Sequence, residues 1–364
     1  MLDLYSQLYD TLLSRVDPER AHGMAIRLLN TAQRVPGGLA PLRLLCPALD
    51  PRLAVSVCGL NFRNPLGVAA GLDKNCEAAD ALFAVGFGHV EAGTVTLRPQ
   101  PGNDRPRMWR VLEQRAVINA LGFPSEGAEL VAPRLAKLGD NGVLGLNLGK
   151  NKATALDRAA DDYQALVHRL AQYADYLTIN VSSPNTPGLR SLQTAEHLSE
   201  LIARVAEANE SVAERGSRAA PPIWVKLAPD LEDAELEAIA AAAVDAGAAG
   251  LVATNTTIAR DGLGPAQKEL PGGLSGAPLK ARANRVARVL YRCVGQRVPI
   301  IGVGGIEDAA DVITRIRSGA SLVQLYTAMI YRGPALPGDI LRQLSLIADR
   351  DGWSSIGELV GCDA

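Results

Sequence analysis

The chain has 364 residues, a net charge of −2 and a hydrophobic fraction of 48%. That is longer than the roughly 250 residues of a typical α/β barrel, yet it requires no more than one large domain with an added segment. The net charge gives no electrostatic case for nucleic acid as a partner, which would need a concentrated basic face.

The first 45 residues form a segment of their own. Tyr5, Leu8, Tyr9, Leu12, Leu13 and Val16 recur at helical spacing, with Asp3, Ser6, Gln7, Asp10, Ser14 and Arg15 opposite them. Asp17-Pro18 supplies an N-cap and a first-turn proline for a second helix, which carries Met24, Ala25, Leu28 and Leu29 on one side and stops at Pro36-Gly37-Gly38. Two amphipathic helices of this kind either pack on the rest of the protein or lie on a lipid surface with their apolar faces buried in it.

From Leu66 onward, short apolar runs alternate with longer helical patterns. The candidate strands are Leu66–Ala70, His89–Ala92, Val143–Leu148, Tyr176–Val181, Ile223–Leu227, Gly250–Thr254, Ile300–Val303 and Leu322–Tyr326. Helices such as Asp161–Tyr173 and Asp233–Ala246 lie between them, which predicts βαβ units and a parallel sheet. Eight such strands, with no G-x-G-x-x-G after the first, predict a closed (β/α)8 TIM barrel preceded by the two-helix extension. Arg98–Pro106 reads as a loop. Ala259–Leu274 reads as a long, glycine-rich, mobile loop over the barrel mouth.

Cys46, Cys58, Cys76, Cys293 and Cys362 are scattered and contain no C-x-x-C pair, and His22, His89, His168 and His197 lack ligand spacing. Neither a metal nor a disulfide framework is expected. No apolar run reaches the ~18 residues of a spanning helix, and the N-terminus does not read as a signal peptide.

A barrel of this kind works at the C-terminal ends of its strands. There the sequence places Ala70-Gly71-Leu72-Asp73-Lys74, Gly93-Thr94-Val95-Thr96, Asn147, Asn180 with Ser182-Ser183-Pro184-Asn185, Lys226, and Thr254-Asn255-Thr256-Thr257. A ring of amides, hydroxyls and ammonium groups suits a planar, amide-rich ligand. Gly302-Val303-Gly304-Gly305-Ile306 after the seventh strand, and Tyr326-Thr327 after the eighth, suit a phosphorylated one. Ser183 has no G-x-S-x-G context, so a serine hydrolase is not indicated. On these features alone, a flavin-free aldolase or isomerase acting on a phosphorylated substrate stays open.

Asn180-Val181-Ser182-Ser183-Pro184-Asn185-Thr186-Pro187-Gly188-Leu189-Arg190 resembles the active-site loop of the dihydroorotate dehydrogenases. Gly93-Thr94-Val95-Thr96-Leu97-Arg98-Pro99-Gln100-Pro101-Gly102-Asn103, Gly149-Lys150-Asn151-Lys152, Thr254-Asn255-Thr256 and Gly302-Val303-Gly304-Gly305-Ile306 resemble further motifs of that family, in order along the chain. Asp17-Pro18-Glu19-Arg20-Ala21-His22 and the serine at position 183 resemble its quinone-linked class 2, whereas class 1 carries a cysteine base and lacks the helical extension.

The resemblance implies oxidation of (S)-dihydroorotate to orotate in pyrimidine biosynthesis, with FMN as cofactor and a membrane quinone as final acceptor. It implies Ser183 as the catalytic base. Ala70, Gly71, Lys74, Thr94, Asn147, Asn180, Lys226, Thr254, Gly276, Gly305, Tyr326 and Thr327 would bind FMN. Lys74, Asn119, Gly122, Phe123, Asn180, Asn185, Asn255 and Thr256 would bind the substrate, and His22 and Arg110 would lie near the quinone. Residues 1–45 would then be a membrane-docked segment guarding a quinone tunnel, residues 46–364 the catalytic barrel, and the protein a peripheral one on the cytoplasmic face of the membrane. The family commonly reads Asn-Arg-hydrophobic-Gly-Phe-Asn where this chain has Asn119-Ala120-Leu121-Gly122-Phe123-Pro124, so a cation is missing at Ala120.

Overall fold

Eight strands close into one barrel in the computed structural model, which describes residues 2–216 and 218–364. They are β1 (Leu66–Val68), β2 (His89–Val95), β3 (Val143–Leu148), β4 (Tyr176–Asn180), β5 (Ile223–Leu227), β6 (Gly250–Ala253), β7 (Ile300–Val303) and β8 (Leu322–Leu325). Each pairs in parallel with its sequence neighbours, β5 with β6 at Leu227↔Ala253, and β8 closes on β1 at Val323↔Leu66. The expected (β/α)8 barrel is present.

The strands are almost uniformly buried, because one face meets the barrel interior and the other meets the surrounding helices. The main apolar core therefore lies between strands and helices, where Val90, Leu146, Ile179 and Val225 meet side chains such as Leu166, Leu198 and Val286. A second cluster, including Phe62, Tyr176, Trp224 and Ile301, fills the barrel interior. The hairpin of Val55–Val57 and Leu60–Phe62 packs against this cluster.

Four strands are shorter than expected. They end at Val68, Asn180, Ala253 and Leu325, so Ala70, Val181, Thr254 and Tyr326 lie beyond the ladder where the chain turns toward the mouth. The second strand is longer and runs to Val95.

The sequence reading missed a separate antiparallel sheet of Met108–Val111, Ala116–Asn119 and Gly273–Gly276. Its third strand comes from the expected loop 259–274, which also contains the helix Pro265–Lys268. Gly273 and Leu274 pair with the distant Asn119 and Ile118, and Leu274 also bridges Thr257, exchanging both backbone hydrogen bonds with it.

Helix α1 (Leu2–Thr11) and helix α2 (Pro18–Arg34) precede the barrel, and Asp17 caps α2 by accepting the Arg20 N–H at 2.9 Å. Tyr9 and Ile26 are buried against the barrel, while Leu8, Leu12, Met24 and Leu28 stay largely exposed. Asp3, Ser6 and Asp10, assigned to the polar face, have side chains outside the described residues. Among the described residues no helix is long and apolar enough to cross a membrane.

Candidate active site

The C-terminal ends of the strands open into a pocket that the separate sheet and the loops after β4 and β6 wall in. Its lining contains Ala70, Gly71, Lys74, Thr94, Asn119, Gly122, Phe123, Asn180, Ser183, Asn185, Lys226, Thr254, Asn255, Thr256, Gly276, Gly305, Tyr326 and Thr327. Asn147, the remaining expected residue, stands one shell below and is fully buried. The geometry thus gathers residues spread over some 250 positions of sequence.

The polar residues form a bonded ring. Thr94 Oγ1 donates to Asn147 Oδ1 at 2.6 Å, and Asn180 Nδ2 donates to Asn147 Oδ1 at 2.9 Å and to Thr94 Oγ1 at 3.1 Å. Asn255 Nδ2 donates to Asn180 Oδ1 at 3.3 Å and to Ser182 Oγ at 3.0 Å. Below the ring lies Glu91, which the sequence reading passed over as part of an apolar strand. Its carboxylate accepts from Asn147 Nδ2 at 2.7 Å, Gln324 Nε2 at 2.9 Å and Thr178 Oγ1 at 3.2 Å, and Lys226 Nζ lies 3.7 Å away. A charged residue between Val90 and Ala92 was the available signal.

Ser183 is 5% exposed, and its Oγ accepts the Asn185 N–H at 3.2 Å. Among the described residues no carboxylate or imidazole bonds it. The loop is held from outside: Arg190 donates to Ser182 O at 3.0 Å and to Thr256 O at 3.1 Å, and pairs with Asp230 at 3.0 Å. Arg190 thereby ties the serine loop to the Asn255–Thr256 turn. Asn185 Nδ2 donates to Asn119 Oδ1 at 3.1 Å, which joins this loop to the separate sheet. Asn185 Oδ1 and Thr186 Oγ1 are buried with no partner among the described residues. Asn103 Nδ2 donates to Ala120 O and Asn185 O, and Lys152 Nζ donates to Asn103 Oδ1 at 2.9 Å, so a cation serves this loop although position 120 is alanine.

At the far end the backbone is glycine-shaped. A Cβ on Gly305 (φ +73°) would meet Lys280 Cα at 2.6 Å, and one on Gly276 (φ +96°) would meet Arg115 O at 2.4 Å. Only glycine tolerates these conformations at such contact distances. The helix after β7 starts at Ala309, and Asp308 accepts the Asp311 N–H at 2.9 Å, so a carboxylate already caps it. Gly304 and Gly305 lie in the preceding turn, and any anion they hold is bound by that turn.

Lys74 donates to Gly71 O at 2.7 Å and lies 3.1 Å from His22 Nε2; the other ring nitrogen of His22 lies 3.4 Å from the Tyr326 hydroxyl. Burial pushes Lys74 down to about 8, opposed by Glu19 and Asp73. Burial, with the neighbouring Lys74 cation, pushes His22 down to about 3, so the imidazole is neutral. Glu19, also on α2, binds Arg105 and the buried Arg107, and these guanidinium hydrogen bonds lower its carboxyl to about 2.

A second cavity, of about 760 Å³, lies between α1, α2 and the barrel. Its lining is mainly apolar, with His22, Arg27 and Arg110 as the ionisable exceptions besides tyrosines. Met108, Val117, Tyr326 and Ile330 line both cavities, so the two share a wall.

Residues 52–347 match the dihydroorotate dehydrogenase family. A dihydroorotate dehydrogenase (quinone) from Acidithiobacillus ferrooxidans is 50% identical over 356 residues, covering 97% of this chain and 98% of that protein. One from Rhodospirillum rubrum is 51% identical over 364 residues, covering 100% of this chain and 95% of that protein. A crystal structure of DHODH from Eimeria tenella in complex with ferulenol superposes with a TM-score of 0.88 at 40% identity and 98% coverage of both chains. With fold, pocket and full-length identity in agreement, the chain belongs to the dihydroorotate dehydrogenase family, on its quinone-linked class 2 branch.

Proposed function

We propose that this protein oxidises (S)-dihydroorotate to orotate with FMN as the resident cofactor and a membrane quinone as the final acceptor. The observation that carries the reading is the polar ring at one barrel mouth, with Ser183 beside it and an apolar cavity behind a shared wall.

The pocket suits FMN on its own chemistry. Its donors include amides, hydroxyls and the Lys74 and Lys226 ammonium groups. Gln324 lines it, and its buried Oε1 has no partner among the described residues, while Gly276 and Gly305 give the lining backbone two positive-φ turns that only glycine fits. Ala70, Gly71, Lys74, Thr94, Asn147, Asn180, Lys226 and Thr254 would hold the flavin ring, and Gly276, Gly305, Tyr326 and Thr327 its phosphate end. FMN held by these residues would supply a two-electron acceptor for the hydride of dihydroorotate C6, one that a quinone can reoxidise.

The chain's own residues supply the rest. Asn119, Asn185, Asn255 and Thr256, with Asn180, would hydrogen-bond the substrate ring and carboxylate, and the unpartnered Asn185 Oδ1 is available to a ring N–H. Lys74 would pair with the carboxylate, with Gly122 and Phe123 closing that side. Ser183 would take the proton from C5; its burial excludes bulk water, and Thr186 Oγ1 is a nearby group able to pass that proton outward.

In the same reading residues 1–45 form the quinone tunnel and residues 46–364 the catalytic barrel. Exposed Leu8, Leu12, Met24 and Leu28 would dip into the cytoplasmic face of the membrane as a peripheral anchor. His22 and Arg110 would meet the quinone in the cavity of about 760 Å³.

An anaerobic absorbance series tests the reading as a whole. Flavin bands that bleach with dihydroorotate and return with a soluble quinone, but not with fumarate or NAD, are expected. Bands that never bleach would sink the substrate. A protein that gains no flavin bands on incubation with FMN would sink the cofactor.

A further inference from the structure

Glu91 lies in the barrel interior with no exposed surface, and the proposed chemistry does not use it. Its carboxylate collects hydrogen bonds from three strands: Asn147 of β3, Thr178 and Tyr176 of β4, and Gln324 of β8 reach it, the Tyr176 hydroxyl at 3.4 Å. Lys226 of β5 completes the set at 3.7 Å, and Glu91 is the one carboxylate within 4.0 Å of Lys226 among the described residues.

An ionised carboxylate only accepts hydrogen bonds. The atom of Asn147 that faces it must therefore be Nδ2, which turns Asn147 Oδ1 toward Thr94 and Asn180. Thr94 spends its proton on that oxygen, so the Thr94 oxygen accepts from Asn180 Nδ2. With Nδ2 so engaged, Asn180 Oδ1 accepts from Ser182 Oγ at 3.2 Å and Asn255 Nδ2 at 3.3 Å, and Asn255 Oδ1 accepts the Thr256 N–H at 2.8 Å. One buried charge thus fixes the donor–acceptor direction of every amide from the barrel floor to the Asn255–Thr256 turn.

We propose that Glu91 is a positioning residue that sets the amide polarity of the flavin- and substrate-facing ring and balances the charge of Lys226. This rests on the FMN reading above. A purely structural role fits the surroundings less well. Buried ion pairs can often be replaced by apolar groups without loss of stability, and the interior cluster beside Glu91 is mainly apolar.

The test uses the full-length protein, wild type beside Glu91→Gln, with three readouts: FMN affinity by titration of the apoprotein, flavin midpoint potential, and KM and kcat for dihydroorotate. The glutamine amide cannot accept on both sides, and it leaves Lys226 uncompensated. FMN binding should weaken about tenfold. The midpoint potential should rise by about 30 mV, equivalent to a tenfold shift of a two-electron equilibrium toward the reduced cofactor. KM should rise more than kcat falls.

Wild-type affinity and potential with only a lower unfolding temperature would overturn the proposal and leave the FMN reading standing. Wild-type protein that binds no FMN would overturn both. Should Glu91→Gln fail to fold, Thr178→Val decides, since it keeps the carboxylate and strips one donor from Oε2. It should lower the potential, and an unchanged potential in that variant overturns the proposal.

Discussion

Ser183 has neither imidazole nor carboxylate bonded to its hydroxyl, so its basicity depends on the closed site around it. Ser183→Ala should retain the yellow cofactor but slow anaerobic flavin reduction by dihydroorotate about 10²–10⁴-fold, the usual worth of a positioned base. Undiminished reduction in stopped flow would remove Ser183 from that role. Lys74 makes a second residue-scale prediction. Burial holds it near 8, so the free enzyme loses this cation above that pH. KM for dihydroorotate should be flat below about pH 8 and climb roughly tenfold per unit above it, one proton lost per site. A KM independent of pH up to 9.5 would take Lys74 out of carboxylate binding. Ser183, Lys74 and the asparagines were legible because polar residues at strand ends stand out against apolar strands. Glu91 and Arg190 were not. Glu91 occupies an inward position whose partners come from four other strands, and the contacts of Arg190 with Ser182, Thr256 and Asp230 form only once β4, β5 and β6 lie side by side.

At the scale of elements, α1 and α2 present two apolar surfaces. Tyr9 packs against Tyr331 with ring centroids 5.2 Å apart, and Ile26 enters the main core, while Leu28 of α2 is 71% exposed, as are Leu12 just after α1 (57%) and Leu44 beyond α2 (83%). Periodicity located these helices but left open whether they pack or face lipid; the structure has them pack on one side and leave apolar side chains exposed on another. The double change Leu12→Glu and Leu44→Glu should cut co-sedimentation with phospholipid vesicles at least about tenfold, because each leucine is worth roughly 1.5–3 kcal/mol on burial. Flavin reduction by dihydroorotate should stay within about twofold, since neither residue lines the pocket or the cavity. Unchanged sedimentation would assign membrane attachment to other residues. The separate sheet escaped the sequence reading for a different reason. Its strands are four residues each, and the third lies more than 150 positions from the first two, so no local pattern announces the pairing.

The barrel as a whole carries an acid-sensitive residue beside its interior cluster. His89 is fully buried, packs edge-on against Phe62 at 5.3 Å, and neither ring nitrogen has a partner among the described residues. Burial lowers it from 6.5 to about 3. Between those values the unfolded chain binds the proton and the folded one does not. The stabilisation is therefore complete above pH 6.5 and is lost as pH falls toward 3, at about 1.4 kcal/mol per unit. In urea unfolding, His89→Leu should flatten this acid slope by about that amount. An equal slope in both proteins would place the acid sensitivity elsewhere, with His22 the next group to examine.

The sequence by itself determined the eight strand positions, the barrel class, the serine loop, the glycine turns and the two leading helices. Each of these is written in a local period, a turn residue or a contiguous motif. Only the tertiary structure decided how the pieces meet. It placed Glu91 beneath the asparagine ring, seated His22 between Lys74 and Tyr326, and joined residues 273–276 to a sheet more than 150 positions away. It also set two cavities back to back across Tyr326. These are consequences of barrel closure, which brings distant strands into register and buries charges that have no partner nearby in the chain.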